Sequence, residues 1–256
     1  MSSPLDFLRR FATELRSAGI RFAITSGMAC VHYGLQQTTK DSDWIIAPED
    51  LGKLRALLAD LETATPPWRI SYREICGAPL ASEFMAYGWT SHLRITEPDA
   101  AIQKVDFFGK APRVADLETD RMDAAYASRH VVALMKRTDR DRDWPIVDGL
   151  GWQLQERRSV QALLHIQDAA KLKSAWSEIQ TSTRLALVKH RPLLRLLDAE
   201  SDLDRIDAFV RIERIVWECM NQERYELFAS DWKGFYRRWR TISGWQWPTS
   251  EPFCHQ

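Results

Sequence analysis

Gln36-Gln37-Thr38-Thr39-Lys40-Asp41-Ser42-Asp43-Trp44-Ile45-Ile46-Ala47 is the stretch on which the reading of this chain turns. A polar run ends in two aspartates one residue apart, and a hydrophobic run starts directly after them. The carboxylates therefore stand where a buried strand begins. Alternate side chains of a strand share a face, so Asp41 and Asp43 lie on one side and Ser42 points to the other. Like charges held this close repel, and a divalent cation is the commonest partner that makes such a pair tolerable. The pattern points to a metal site.

On the N-terminal side, Ser3-Pro4 followed by Leu5, Leu8, Phe11 and Leu15 predicts a helix with an N-cap, an early proline and an apolar stripe of helical period. Residues 20–25 read as a short strand, Ser26-Gly27 as a tight turn, and residues 28–33 as a short helix stopped by Gly34. Beyond the acid pair, Pro48-Glu49-Asp50 opens a helix carrying Leu51, Leu54, Leu57, Leu58 and Leu61. Residues 68–72, 89–95 and 103–108 then show the alternation of strands. From Ala124 onward the spacing is helical almost to the end. The expected fold is α+β: a mixed β-sheet flanked by helices over residues 1–150, followed by an all-helical C-terminal domain over 151–256. The composition shifts near residues 145–155 without a Gly/Ser/Pro linker.

With 256 residues, 45% of them hydrophobic, the chain can bury a substantial core. Lys+Arg and Asp+Glu balance at 35 each, so overall charge demands neither nucleic acid nor membrane. Cys30, Cys76, Cys219 and Cys254 are far apart and form no Cys-x-x-Cys pair, which favours reduced thiols and a cytoplasmic location. No apolar window approaches the roughly 18 residues of a membrane span, and the first residues lack the pattern of an export signal.

A third acid, Asp106, lies inside the apolar run Val105-Asp106-Phe107-Phe108. Two carboxylates on one strand and a third on a neighbour can converge on a pair of divalent ions, the arrangement that serves phosphoryl and nucleotidyl transfer. The Ser26-Gly27 turn at a helix start offers backbone N–H groups to phosphate oxygens.

Ile24-Thr25-Ser26-Gly27-Met28-Ala29, Gly34, Thr39-Lys40-Asp41-Ser42-Asp43-Trp44-Ile45-Ile46 and Val105-Asp106-Phe107-Phe108 together resemble the DNA polymerase beta-like nucleotidyltransferase superfamily, in particular its small bacterial AbiEii and MenA-type toxin branch. The resemblance covers roughly residues 5–150 and fades beyond. It implies a metal-dependent nucleotidyltransferase using Mg2+, with Mn2+ as a substitute, in which Asp41, Asp43 and Asp106 bind two ions and Ser26 and Gly27 hold phosphates. The segment Leu134-Met135-Lys136-Arg137 looks like the family's helix with a phosphate-contacting lysine, which assigns Lys136 to the triphosphate. Three departures stand out: Ser26 replaces the first turn glycine, Gln37 replaces a cation that would leave its task to Lys40, and Ser42 replaces an aliphatic residue. The implied substrates are an NTP and an acceptor hydroxyl on tRNA, protein or a small molecule, with a small antitoxin-like protein as a potential partner. The alternative is a nucleotidyltransferase-fold binding or regulatory module that no longer catalyses. Trp217, Trp232, Trp239, Trp245 and Trp247 read chiefly as bundle core beside Ile215. The run Lys233, Arg237, Arg238 and Arg240 is the single hint of a polyanionic acceptor.

Overall fold

A computed structural model of the chain describes residues 4–73, 78–86, 88–111, 113–114, 118–120 and 123–243. Ser3, Cys76, Cys254, Trp245 and Trp247 lie outside the described residues, as do the side chains of Trp232, Lys233, Arg237, Arg238, Trp239 and Arg240. Two compact units emerge, one over Met1–Ser128 and one over Arg129–Trp245. Composition shifts later than this, because the helix Arg129–Met135 already buries Val131, Val132 and Met135 with the helical unit.

In the first unit the elements follow the order α1 (Pro4–Ser17), β1 (Phe22–Thr25), α2 (Ser26–His32), β2 (Ser42–Ile46), α3 (Leu51–Thr63), β3 (Arg69–Tyr72), α4 (Ser82–Met85), β4 (Thr90–Thr96) and β5 (Gln103–Phe108). The five strands form one mixed sheet in the order β1-β2-β5-β4-β3. Only β2 and β5 run parallel; the other neighbours are antiparallel. The α+β architecture expected from the sequence is the one found.

The amphipathic stripe of α1 explains how one sheet face is closed. Phe7, Leu8, Phe11 and Leu15 are all at most 2% exposed. Phe11 meets Trp44 edge-on at 5.2 Å and approaches Phe107 at 6.2 Å, and Trp44 also packs on Phe22. Burying four such side chains stabilises the unit by roughly 1.5–3 kcal/mol apiece. Ser42 points to this apolar side, accepting the Trp44 Nε1–H at 3.0 Å and donating to the Lys104 carbonyl at 3.2 Å. The opposite face is left to Asp41 and Asp43, as strand alternation requires.

At the far end of β1, Asp50 accepts from Lys53 Nζ at 2.8 Å, from the Arg21 backbone N–H at 3.0 Å and from Arg21 Nε at 2.8 Å. These donors, Lys53 foremost, hold its carboxyl well below the usual carboxylate range. Asp50 thus ties the start of α3 to the strand beside the acids.

The described part of the second unit is wholly helical: α5 (Arg129–Met135), α6 (Trp144–Glu156), α7 (Ala169–Ser177), α8 (Thr181–His190) and α9 (Leu203–Ser243), with 3-10 turns between. Leu154, Leu163, Ile166, Leu172, Trp176, Leu194, Leu197, Ile206 and Val210 form its core. Trp217, expected in that core, is half-buried on α9 with the Arg137 guanidinium 5.0 Å over its ring, and its neighbour Ile215 is 58% exposed. On the same turn Arg214 pairs with Asp141, Trp217 lies under Arg137 and Glu218 accepts from Trp144 Nε1, so Ile215 is on the uncovered face, and helical spacing alone does not say which face is covered. Among the described residues no helix is long and apolar enough to cross a membrane, and neither Cys30 nor Cys219 is in a disulfide.

Candidate active site

The sheet register assembles the site. Asp43 of β2 is aligned with Asp106 of β5, with Thr25 of β1 on one side and His92 of β4 beyond Asp106 on the other. Aligned residues on paired strands project to one face, so Thr25, Asp43, Asp106 and His92 make a single polar row across four strands. Asp41, two residues before Asp43, belongs to the same face.

Arg73, the residue after β3, closes the row. Its backbone N–H donates to the His92 carbonyl at 2.9 Å, which prolongs the β3–β4 pairing by one residue. Its Nη1 donates to Asp106 Oδ1 at 2.9 Å and lies 3.7 Å from Asp41 Oδ2. A single nitrogen therefore sits between two carboxylates that the sequence separates widely. His92 Nδ1 also lies 2.8 Å from Asp106 Oδ1, but out of line for a hydrogen bond.

Two atoms of the row are buried with no hydrogen-bond partner, Asp41 Oδ1 and His92 Nδ1. A buried carboxylate oxygen without a donor is costly. The donor set suits a hard divalent ion such as Mg2+ or Mn2+, and the orphaned Asp41 oxygen is where one would add a bond. Spacing is a different matter. Among the described residues, no three His, Cys, Asp or Glu side chains are grouped closely enough to hold a metal ion.

The turn expected to hold phosphate has an unusual backbone. Ser26, at the start of α2, has φ of 52°, a left-handed conformation that favours glycine. Such strain is concentrated at functional positions. Gly27 is demanded by packing: a Cβ there would come within 2.4 Å of Thr39 Oγ1 and 2.9 Å of Thr39 Cβ. The loop ahead of the acids therefore lies directly on the turn. Lys40 on that loop is exposed.

Lys136 has another setting. It follows α5 in the second unit and is 7% exposed, with its Nζ 3.2 Å from Asp143 Oδ1. Burial by itself would raise the Asp143 carboxyl, but the Thr138 hydroxyl, Lys136 and Arg140 outweigh it and the net direction is downward. The structure thus brings Asp41, Asp43 and Asp106 onto one face beside Ser26 and Gly27, and gives Lys136 a carboxylate partner of its own. Sequence reasoning missed Arg73 and His92. His92 occupies an ordinary strand position and Arg73 the residue just after one, and only the alternation of β4, placing His92 on the face of neither Ser91 nor Leu93, could have singled one out.

No protein-family model matches the chain, and no curated protein does. Among solved structures, the chain is similar to JHP933 from Helicobacter pylori, at 15% identity, covering 90% of this chain and 100% of that one, with a TM-score of 0.40. It is also similar to a suspected nucleotidyltransferase from H. pylori, at 14% identity, covering 87% of this chain and 98% of that one, with a TM-score of 0.38. Overlaps that loose do not identify a reaction.

Proposed function

We propose that this protein is a metal-dependent nucleotidyltransferase that moves a nucleoside monophosphate from an NTP to an acceptor hydroxyl. The observation that supports it is the alignment of Asp43 with Asp106 on adjacent parallel strands, with Asp41 on the same face. Asp41, Asp43 and Asp106 would hold Mg2+, or Mn2+ in its place. Ions bound there would neutralise the triphosphate and favour the ionised acceptor hydroxyl. Asp106 takes the hydroxyl proton, and His92 beside it orients that carboxylate. Ser26 and Gly27 would present backbone N–H groups to the phosphates, with the exposed Lys40 as an auxiliary cation. The acceptor oxygen forms a bond to the α-phosphorus as the bond to pyrophosphate breaks. Lys136, already paired with Asp143, is left out of this assignment.

The acceptor is a hydroxyl of tRNA, protein or a small molecule, and the family likeness adds a cytoplasmic toxin-type role with a small antitoxin-like partner. Incubation with labelled NTPs, Mg2+ and cell extract tests the reading. Label should enter an extract component with the wild type and fall by at least ~100-fold with Asp41→Asn/Asp43→Asn. Equal incorporation by both proteins would overturn it.

One observation favours a second reading, an inactive nucleotidyltransferase-fold module: Arg73 occupies the space between Asp41 and Asp106. Calorimetry with Mg2+-NTP separates the two, since a module without the activity would give no metal-dependent heat at millimolar nucleotide.

A further inference from the structure

We propose that Arg73 is a displaceable internal counter-ion of the acidic row, competing with the divalent cation for Asp41 and Asp106. The inference rests on the metal-site reading above and concerns how that site is kept before it is loaded.

Three features carry it. Arg73 engages the carboxylates through Nη1 alone, at 2.9 Å and 3.7 Å. A permanent arginine clamp in the same unit looks different: Arg10 meets Glu97 with Nε at 2.6 Å and Nη2 at 2.5 Å, one nitrogen to each oxygen. Single-ended pairing gives up the second bond of the fork and is correspondingly easier to exchange.

Second, the guanidinium leaves the site incompletely served. Asp41 Oδ1 stays buried and unbonded although Oδ2 of the same group faces Arg73. A compact dication at contact distance attracts each carboxylate about twice as strongly as a single positive charge and is coordinated on several sides at once. Third, the side chain of Arg73 is 13% exposed, between groups that an ion would have to draw together. Its position accounts for acids that share a face yet do not cluster at metal-binding distances. In the absence of metal, Arg73 limits their repulsion. Loading the ion requires it to move aside.

The test is Mn2+ binding measured by electron paramagnetic resonance and by calorimetry, on the full chain without nucleotide. Arg73→Gln should bind Mn2+ at least about tenfold more tightly than the wild type, because a competing positive charge has gone. Arg73→Lys, which keeps the charge, should stay close to the wild type. Equal or weaker binding by Arg73→Gln, with the wild type still binding, overturns the competition and leaves the metal-site reading standing. Absence of Mn2+ binding by every variant at millimolar metal overturns both. Should Arg73→Gln not fold, the wild type carries the test: Mg2+ must shift the Arg73 Nε–H resonance, and Asp41→Asn must abolish that shift. A resonance that stays still while Mg2+ binds also defeats the proposal.

Discussion

Asp41 and Asp143 are both aspartates beside basic residues, yet they have opposite surroundings. Asp143, 2% exposed, uses both oxygens: Lys136 Nζ reaches Oδ1 at 3.2 Å, while the Thr138 hydroxyl and Arg140 Nη2 each reach Oδ2 at 2.7 Å. Asp41 has one distant guanidinium and one buried oxygen without a partner. A buried charge bonded on every side serves the integrity of the fold, whereas Asp41, its side chain 34% exposed, keeps an oxygen free of any donor. Arg191 of the second unit lies between the two, with most of its guanidinium bonded and its Nη2, 2.8 Å from Glu213 Oε2, buried without a hydrogen bond. Its Nη1 donates to the Leu163 and Ile166 carbonyls at 2.7 Å, and its Nε donates to Glu213 at 2.9 Å.

The contrast can be broken by substitution. Asp143→Ala should have the largest effect, about 3–5 kcal/mol of stability lost, because it strands the buried Lys136 ammonium. A urea titration showing a loss below ~1 kcal/mol would remove the structural role given to that pair.

Acid should weaken the second unit next. His165 is fully buried, its Nε2 is 2.7 Å from His130 Nδ1 and its Nδ1 is 3.1 Å from Arg137 Nη2. Burial first, then the charge of Arg137, the neighbouring His130 and Arg191, push its pKa well below 6.5. With the folded value depressed, the unfolded chain binds the extra proton below pH ~6.5, so stability is full above that pH and declines as pH falls. The decline from this residue is at most about 1.4 kcal/mol per pH unit, readable from urea midpoints between pH 7.5 and 5.5. Replacing His165 with Asn should flatten it.

Gly27→Ala comes third, at about 1–3 kcal/mol, since the new methyl must displace Thr39. Differential scanning calorimetry measures it, and an unchanged melting temperature would mean the loop does not press on the turn. Asp41→Asn should alter stability least, within about 1 kcal/mol, because the native carboxylate is poorly bonded. The same variant should lose metal-dependent labelling, so a stability cost as large as that of Asp143→Ala would collapse the comparison.

Much of this arrangement was legible in the amino-acid order. The stripe Leu8, Phe11, Leu15 and the alternation around Asp41 and Asp43 encode a helix and a strand whose buried faces are now occupied as expected. Ser26 was read as a departure from glycine, and the structure adds that its φ is 52°, which no sequence pattern states. Trp217, read as core, is only half-buried beside an exposed Ile215, because periodicity gives a helix a face without saying what covers it.

By itself the sequence determined the elements and which side of β2 bears its carboxylates, because period and side-chain direction are local properties of the backbone. Only the tertiary structure decided that β5 would lie beside β2 with Asp106 level with Asp43, that Arg73 would arrive between Asp41 and Asp106, and that Lys136 would turn to Asp143. Strand order and register are set by how the whole unit buries its apolar faces, and pairs so distant along the chain have no local signal to announce them.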